Sequence, residues 1–323
     1  MSEAGFHLVG HDDAMREVQT AFLSGRMHHA WLIAGIEGIG KATLCKHIAQ
    51  WVLAGGQGDL GKLDPQHRVA RLVEAETHPD MLIVRRPTDE KTGEMKNIIP
   101  VDDARKVALF LHKTATQDGW RVVIIDEAQA LNRQAQNAIL KIVEEPPPKT
   151  LILITVTTPA ILLPTIRSRC RVLQLAPLEV PHMRTILHRA AVSLPQADID
   201  TLIELSGGSI GFALKILDSE CLPLYREMLQ ILDAMPQMDV ARVHKLADQI
   251  ARKADAESFE VLTALLIDRL RQATHEQVAS KGRVDTALHL WDKTRATLAA
   301  ADYANLDKKL AFINAMSDIR AVV

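Results

Sequence analysis

The sequence has few cysteines, and their spacing excludes two common kinds of framework. Only three occur among 323 residues, at Cys45, Cys170 and Cys221, and no two of them form a CxxC pair. Paired cysteines mark zinc modules and disulfide scaffolds, so we expect neither. Scattered, unpaired cysteines are typical of the reducing cytoplasm, where we expect this chain to work.

An excess of charge of either sign is also lacking. The formal net charge is −2 and the sequence pI is near 6.7. A protein that holds nucleic acid phosphates by itself usually carries a basic excess. Any contact with DNA is therefore expected to be local or shared with partners.

Long apolar runs are absent as well. No stretch reaches the roughly 18 apolar residues of a membrane-spanning helix. The first residues, MSEAGFHLVGHDD, are partly acidic and contain no apolar run of signal-peptide length. The sequence therefore predicts neither membrane insertion nor export.

The composition that remains is that of a folded protein with more than one domain. Hydrophobic residues make up 47% of the chain and charged residues 24%, which is ordinary for globular proteins. At roughly 150 residues per domain, this length predicts two or three domains.

Strand-like and helical segments alternate over the first half of the chain. Apolar runs that predict buried strands occupy residues 30–34, 81–85, 121–126, 151–156 and 171–175. Helices are predicted near residues 12–24, 42–54, 65–76, 101–112 and 132–145. Asp64 and Asn132 are the predicted amino-terminal caps of two of them. This alternation predicts an α/β fold, a parallel sheet with helices on both faces.

Beyond Pro177 the strand signals fade and helical periodicity remains. The composition shifts again near Leu222, after which the chain is rich in alanine, leucine and charged residues. We predict an α/β nucleotide-binding-type domain over residues 1–176, a small helical domain over 177–219 and an all-helical domain over 220–323.

A glycine loop, residues 35–41, follows the first predicted strand. It reads GIEGIGK, with Gly35, Gly38 and Gly40 before Lys41, and a helix is predicted directly after it. In this context, backbone N–H groups and a helix amino terminus bind phosphates, and the lysine reaches the β and γ phosphates. A plain glycine-rich turn is the alternative, and the strand–loop–helix context favours a nucleotide loop.

The position after Lys41 lacks the hydroxyl that usually binds Mg²⁺ there. It is Ala42, which offers no oxygen. Thr43 is a candidate nucleotide contact, but one helical position rotates it by about 100°, so it should not replace that hydroxyl directly. The sequence therefore argues against ATP hydrolysis.

An acidic pair, Asp126–Glu127, ends the strand predicted at residues 121–126. Open α/β sheets bind ligands at the carboxyl ends of their strands. Asp126 is a candidate to assist Mg²⁺, and Glu127 is a candidate to orient water. The other interpretation, an acidic pair that only caps a strand end, stays open.

Residues 126–175 resemble bacterial clamp-loader subunits of the AAA+ class. Three features carry the resemblance: the helix end NAILKIVEEPP from Asn137 to Pro147, the pair Thr157–Thr158, and the motif Ser168–Arg169–Cys170. The resemblance covers the α/β domain well and the next helical segment moderately. It extends over the last hundred residues only in composition.

The resemblance implies roles for two residues. Arg169 would be an arginine finger that reaches an ATP bound by a neighbouring subunit. Thr157 would lie in the nucleotide site. Without the surrounding motif, Arg169 would instead be interpreted as a surface arginine near Arg167 and Arg171.

Within this family the sequence resembles the delta-prime type more than the gamma or tau motor type. Ala42 replaces the magnesium hydroxyl, and Gly211 lies where motor subunits usually carry a second-sensor arginine. His78–Pro79–Asp80 and the stretch 101–115 also resemble delta-prime sequences. The resemblance therefore implies a subunit that provides Arg169 in trans but does not turn over ATP, so Glu127 would be weak or vestigial.

The implied function is to assist, as a subunit of the DNA polymerase III clamp loader, the ATP-dependent loading of the sliding clamp onto primed DNA in replication. The helical parts would be a lid and a collar, and the partners would be gamma or tau motor subunits, delta, the sliding clamp and primed DNA. Binding of ATP or ADP without hydrolysis stays open, and DNA synthesis would belong to the holoenzyme. The alternative is an active AAA+ ATPase, either a gamma- or tau-like motor or a helicase-loader relative; a small-substrate kinase fits the Ser168–Arg169–Cys170 segment poorly.

One feature of many bacterial members of this family is missing. They carry a four-cysteine zinc module between the glycine loop and the acidic pair, whereas this chain has no cysteine between Cys45 and Cys170. We therefore expect no zinc, and we expect residues 56–80 to fold without a metal.

Overall fold

The structure is a computed structural model. It describes residues 8–89, 93, 95–112, 119–191, 194–250, 256–279, 284–303 and 307–322. Over these residues the chain forms a parallel sheet with flanking helices, followed by a run of helices.

The sheet has five strands in the order β2-β3-β4-β1-β5, and every neighbouring pair is parallel. The strands are β1 (Ala30–Ala34), β2 (Met81–Val84), β3 (Arg121–Ile125), β4 (Thr150–Val156) and β5 (Arg171–Gln174). All five lie within the predicted apolar runs, give or take one residue. The predicted fold class, a parallel α/β sheet followed by helical parts, is confirmed.

Helices cover both faces of the sheet. They are α1 (Asp12–Leu23), α2 (Lys41–Leu53), α3 (Arg68–Glu74), α4 (Val101–Leu111), α5 (Arg133–Glu144) and α6 (Pro164–Arg167), and α7 (Val180–Ala190) follows the last strand. Along β1, Trp31 and Ile33 pack into a buried cluster with α1 and α2, while Leu32 packs into a second cluster with α4 and α5. The central strands are therefore buried on both faces, which explains why their sequences are continuously apolar.

The amino terminus of α5 is built as predicted. The side chain of Asn132 accepts a hydrogen bond from the backbone N–H of Ala135 at 2.9 Å. This bond satisfies one of the N–H groups that a helix leaves unpaired at its start. Three prolines follow Glu145 and prevent the helix from continuing.

The predicted start of α3 at Asp64–Pro65 is wrong. The helix begins at Arg68, and the Nδ1 atom of His67 accepts the capping hydrogen bond from the N–H of Val69 at 3.2 Å. Asp64 instead accepts a hydrogen bond from the N–H of Gln66 at 2.9 Å, which stabilises a turn. An aspartate side chain caps turns as readily as helices, and here the turn prevails.

The chain divides into two compact units. The first contains residues 1–195 and 207–211, and the second contains residues 196–206 and 212–323. These units do not decide the three-domain division at residues 176 and 219, which stays a prediction.

The described residues of the second unit are helical. Its elements are α8 (Gln196–Ser206), most of α9 (Ile210–Asp218), α10 (Leu222–Asp233), α11 (Val240–Ile250), α12 (Ala256–Ala279), α13 (Val284–Tyr303) and α14 (Lys308–Val322). Along α11, Val243, Leu246, Ala247 and Ile250 form a buried stripe at helical spacing. None of the described helices is long and apolar enough to cross a bilayer.

An ion cluster around Glu76 connects α2 with the edge strand β2. The Glu76 carboxylate lies 3.1 Å from Lys46 Nζ and accepts hydrogen bonds from both Nη atoms of Arg85, at 3.0 and 2.8 Å. Partial burial acts to raise the pKa of Glu76, but Lys46 and Arg85 outweigh it and hold that pKa below its ordinary value.

We expect Glu76→Gln to lower the Tm at pH 7 by about 1–3 °C. The folded-state pKa lies below the ordinary value of 4.5, so the pairing stabilises the fold above that pH and is lost as the pH falls through the folded-state pKa. Thermal unfolding followed by circular dichroism between pH 7 and pH 3 measures this.

The control is Asp59→Asn, which removes an exposed pair with Lys62. It should leave the Tm unchanged. A Glu76→Gln deficit that stays constant down to pH 3 would contradict the assignment.

Candidate functional site

The candidate site lies at the carboxyl edge of the sheet. Gly35, Asp126 and Thr157 directly follow β1, β3 and β4, which are neighbours in the sheet. The N–H of Gly35 donates to the carbonyl of Val156 at 3.2 Å, which fixes the start of the glycine loop against β4. Parallel α/β sheets place their ligands at this edge.

The glycine loop has the backbone geometry that its sequence predicts. Gly38 and Gly40 adopt φ values of 75° and 95°, in the left-handed region that favours glycine. Gly40 is the residue before α2, and its carbonyl accepts the N–H of Leu44 at 2.9 Å. The strand–loop–helix context predicted for a nucleotide loop is therefore present.

Lys41 is bound to its own loop. The residue is only 8% exposed, and its Nζ donates to the carbonyls of Gly35 at 2.8 Å and Ile36 at 2.7 Å. Burial lowers the pKa of Lys41, although the nearby carboxylates of Glu37 and Asp126 oppose this shift. The ammonium group of Lys41 thus links the start of α2 to the first two residues of the glycine loop.

The residue after Lys41 is the one that usually offers a hydroxyl to Mg²⁺ in nucleotide loops. Ala42 follows Lys41 in the first turn of α2 and has no side-chain oxygen. Thr43 is the next residue on the helix and is partly buried. Its role as a nucleotide contact stays a prediction.

Asp126 is held by a threonine that the sequence did not single out. Thr155 Oγ1 in β4 donates to Asp126 Oδ1 at 2.6 Å and accepts the N–H of Glu127 at 2.9 Å. Thr157, the predicted site residue, lies beyond the end of the strand, and its role stays a prediction. The pairing of β3 with β4 is the signal that would have found Thr155.

Glu127 forms an ion pair with Arg86, a second residue that sequence reasoning missed. Arg86 Nε lies 2.5 Å from Glu127 Oε2, and both side chains are nearly three-quarters buried, at 27% and 29% exposed. Arg86 follows the strand β2, which neighbours β3, so it comes to the same edge of the sheet. The guanidinium of Arg86 therefore balances the charge of this carboxylate.

The segment 208–211 packs directly on the glycine loop within the first unit. Ser209 Oγ donates to the carbonyl of Glu37 at 2.8 Å, and the N–H of Gly211 donates to the carbonyl of Gly38 at 2.8 Å. A Cβ atom on Gly211 would lie 2.8 Å from Gly38 Cα. The backbone approach therefore requires glycine at position 211.

Arg169 lies away from these contacts, just after α6. Its Nη2 is 3.1 Å from Glu144 Oε1, and its Nη1 donates to the carbonyl of Thr165 at 3.0 Å. The side chain stays 40% exposed. In the described part of the chain, Arg169 contacts α5 and α6 and not the glycine loop.

Cys170, next to Arg169, is partly buried. It is packed against the core cluster beneath α4 and α5, and burial raises its pKa to about 12. Within the described ranges, no group of three histidine, cysteine or acidic side chains is placed to hold a metal ion.

A family model and three relatives that match this chain all carry names of DNA polymerase III subunits. A family model described as DNA polymerase III, delta subunit, matches residues 10–179. Over 192 residues the chain is 37% identical to DNA polymerase III subunit delta' of Pseudomonas aeruginosa, covering 58% of this chain and 56% of that one. Over 201 residues it is 35% identical to the Escherichia coli subunit delta', covering 62% and 58%. Over 278 residues it is 30% identical to the Haemophilus influenzae subunit delta', covering 83% and 79%. The chain thus matches little more than half the length of the first two relatives.

We expect Gly211→Ala to destabilise the chain by about 1–3 kcal/mol, because the added Cβ would press on Gly38. The direction of the change in stability is informative, since replacing glycine by alanine inside a helix usually stabilises a protein by about 0.5–1 kcal/mol. Urea denaturation measures the change. Gly119→Ala is the control, because a Cβ at Gly119 meets no atom within 4 Å; stabilisation by Gly211→Ala would contradict the packing.

We expect the folded chain to have no fast-reacting thiol at pH 8. Cys45 and Cys221 are buried, and the raised pKa of Cys170 leaves almost no thiolate. Titration with a thiol-reactive disulfide should show three reactive cysteines only after unfolding in guanidinium. A fast phase in the folded chain that disappears in Cys170→Ser would contradict the burial of Cys170.

Proposed function

The chain belongs to the DNA polymerase III delta-subunit family, and we propose that it works as a delta-prime-type subunit of a clamp loader in the bacterial cytoplasm. Its relatives carry the name DNA polymerase III subunit delta', in agreement with the resemblance of residues 126–175. In this proposal the partners are gamma or tau motor subunits and delta. Through them the chain meets the sliding clamp and primed DNA.

The exposure of Arg169 is the observation that carries this proposal. Its side chain is 40% exposed and lies just after the short helix α6. Lys41, in contrast, is 8% exposed and bound to carbonyls of its own loop. The chain therefore presents a cation suited to a neighbour's phosphates, while the cation of its own nucleotide loop is engaged internally.

An arginine suits this role for chemical reasons. The guanidinium is always charged and offers a planar fork of N–H donors that matches the oxygens of a phosphate. In the transition state of γ-phosphoryl transfer, negative charge is spread over the three equatorial oxygens of the transferred group. Fingers that meet this charge increase the rate by about 10³ to 10⁵.

The chain's own loop does not fit a hydrolytic Mg²⁺–ATP site. Ala42 offers no oxygen to the metal, and Arg86 neutralises the carboxylate of Glu127 that would orient water. The backbone of Gly211 occupies the approach to Gly38 where a sensor arginine would need space. We therefore propose that this subunit provides a finger and does not turn over ATP itself.

The rival function is ATP hydrolysis by this chain, as in a gamma- or tau-like motor or a helicase-loader relative. Lys41 and Asp126 favour it, because both lie at the carboxyl edge of the sheet where nucleotides bind. This function requires that the isolated chain hydrolyse ATP.

We expect Arg169→Ala to lower the ATP turnover of a reconstituted loader at least about 10-fold, because one active site loses its finger. The assembly contains motor subunits, delta and this chain, with clamp and primed DNA. Steady-state phosphate release measures turnover. Arg169→Lys keeps the charge without the fork and should recover only part of the rate.

Lys41→Ala is the matched variant for the chain's own loop. We expect it to change turnover less than about twofold, since a silent site contributes nothing to the rate. Loss of turnover in Lys41→Ala, together with hydrolysis by the isolated wild-type chain, would instead identify a motor and overturn the proposal.

A further inference from the structure

Glu144 is a charged partner of Arg169. Its Oε1 lies 3.1 Å from Arg169 Nη2, and the two side chains are 38% and 40% exposed. Glu144 is the last residue of α5, in the EEPP sequence at the end of that helix. This sequence carried the family resemblance but has no role in the function proposed above.

Helix stability does not explain a glutamate at this position. The carboxyl end of a helix carries partial negative charge from its unpaired carbonyls, which disfavours a carboxylate in the last turn. The pairing with Arg169 offsets this repulsion. The adjacent Glu145 makes no ion pair in the described part of the chain, so the contact belongs to Glu144 alone of the two.

Both side chains stand on rigid structure. The backbone N–H of Leu163, just before α6, donates to Gln136 Oε1 of α5 at 2.9 Å. Ile166 in α6 and Val143 near the end of α5 are fully buried in the same core cluster. The separation between the two charged groups is therefore set by the core and not by flexible loops.

The contacts of Arg169 leave part of its guanidinium available. Nη1 donates to the carbonyl of Thr165 at 3.0 Å and to Ser168 Oγ at 3.3 Å, while Nη2 faces Glu144. A guanidinium has five N–H donors, and these contacts engage three of them. Among the described residues the remaining donors, including Nε–H, have no partner, so they can meet a phosphate while the carboxylate keeps the guanidinium from rotating.

We propose that Glu144 is the positioning residue for Arg169, holding the guanidinium ready for the ATP of the neighbouring subunit. This inference rests on the proposed role of Arg169 as a finger. A guanidinium that is already held loses less side-chain freedom on meeting the transition state than a free one. Glu144 therefore acts on the catalytic step and not on ATP binding by the neighbour.

The test combines two measurements on Glu144→Ala, Glu144→Gln and the matched control Glu145→Ala. In the isolated chain, ¹⁵N relaxation reports the order parameter of the Arg169 Nε–H bond. In the reconstituted loader, steady-state kinetics report kcat and the KM for ATP. Thermal unfolding of each variant reports any loss of fold.

We expect Glu144→Ala to lower the Nε–H order parameter and to lower kcat about 10- to 100-fold, with KM for ATP within about twofold of wild type. Glu144→Gln retains an oxygen that accepts the hydrogen bond, so it should recover part of kcat. Glu145→Ala should change neither quantity.

Three results would overturn the positioning role: an unchanged order parameter in Glu144→Ala, a lower order parameter with kcat unchanged, or a raised KM with kcat unchanged. Failure of the underlying function has a different signature. If Arg169→Ala itself leaves kcat unchanged, the finger is refuted, and with it any catalytic effect of Glu144, even where the order parameter shows that the ion pair holds the side chain.

Discussion

The close approach of two backbones, at Gly38 in the glycine loop and Gly211 at the start of α9, constrains the whole candidate site. A Cβ atom at Gly211 would lie 2.8 Å from Gly38 Cα, so neither an arginine nor even an alanine fits there without movement. The hydrogen bonds from Gly211 and Ser209 then hold the loop from outside, while Lys41 holds it from inside. A loop fixed in this way keeps the shape of a nucleotide-binding turn, and its carbonyl oxygens from Gly35 to Gly38 already accept hydrogen bonds within the chain.

Two arginine–carboxylate ion pairs in the chain differ in how far they are buried. At the carboxyl edge of the sheet, Arg86 binds Glu127 with both side chains mostly buried, so the acidic group that would orient water is neutralised. Near α6, the side chains of Arg169 and Glu144 are 40% and 38% exposed, so solvent reaches the guanidinium of Arg169. The two pairs differ in burial, and the more exposed guanidinium of Arg169 can stay bound to Glu144 while its remaining N–H donors meet a phosphate, as proposed above.

Local sequence predicts most of the fold and only part of the site. The central strands are recognisable because burial on both faces requires continuous apolar runs, and the Asn132 cap is recognisable because its partner is three residues away. Asp64 gave a wrong helix start, because an aspartate side chain can stabilise a turn as well as cap a helix. The pairs of Arg86 with Glu127 and of Thr155 with Asp126 join residues 41 and 29 positions apart, and only the register of parallel strands brings them together. Composition and periodicity carry no information about that register.

The most direct test is a cryo-electron microscopy map of the assembled loader, with clamp, primed DNA, ADP and beryllium fluoride. We expect the Arg169 guanidinium within hydrogen-bond distance of the beryllium fluoride in a neighbouring subunit. An Arg169 that faces no phosphate of any neighbouring subunit would contradict the central claim that this chain provides a finger in trans.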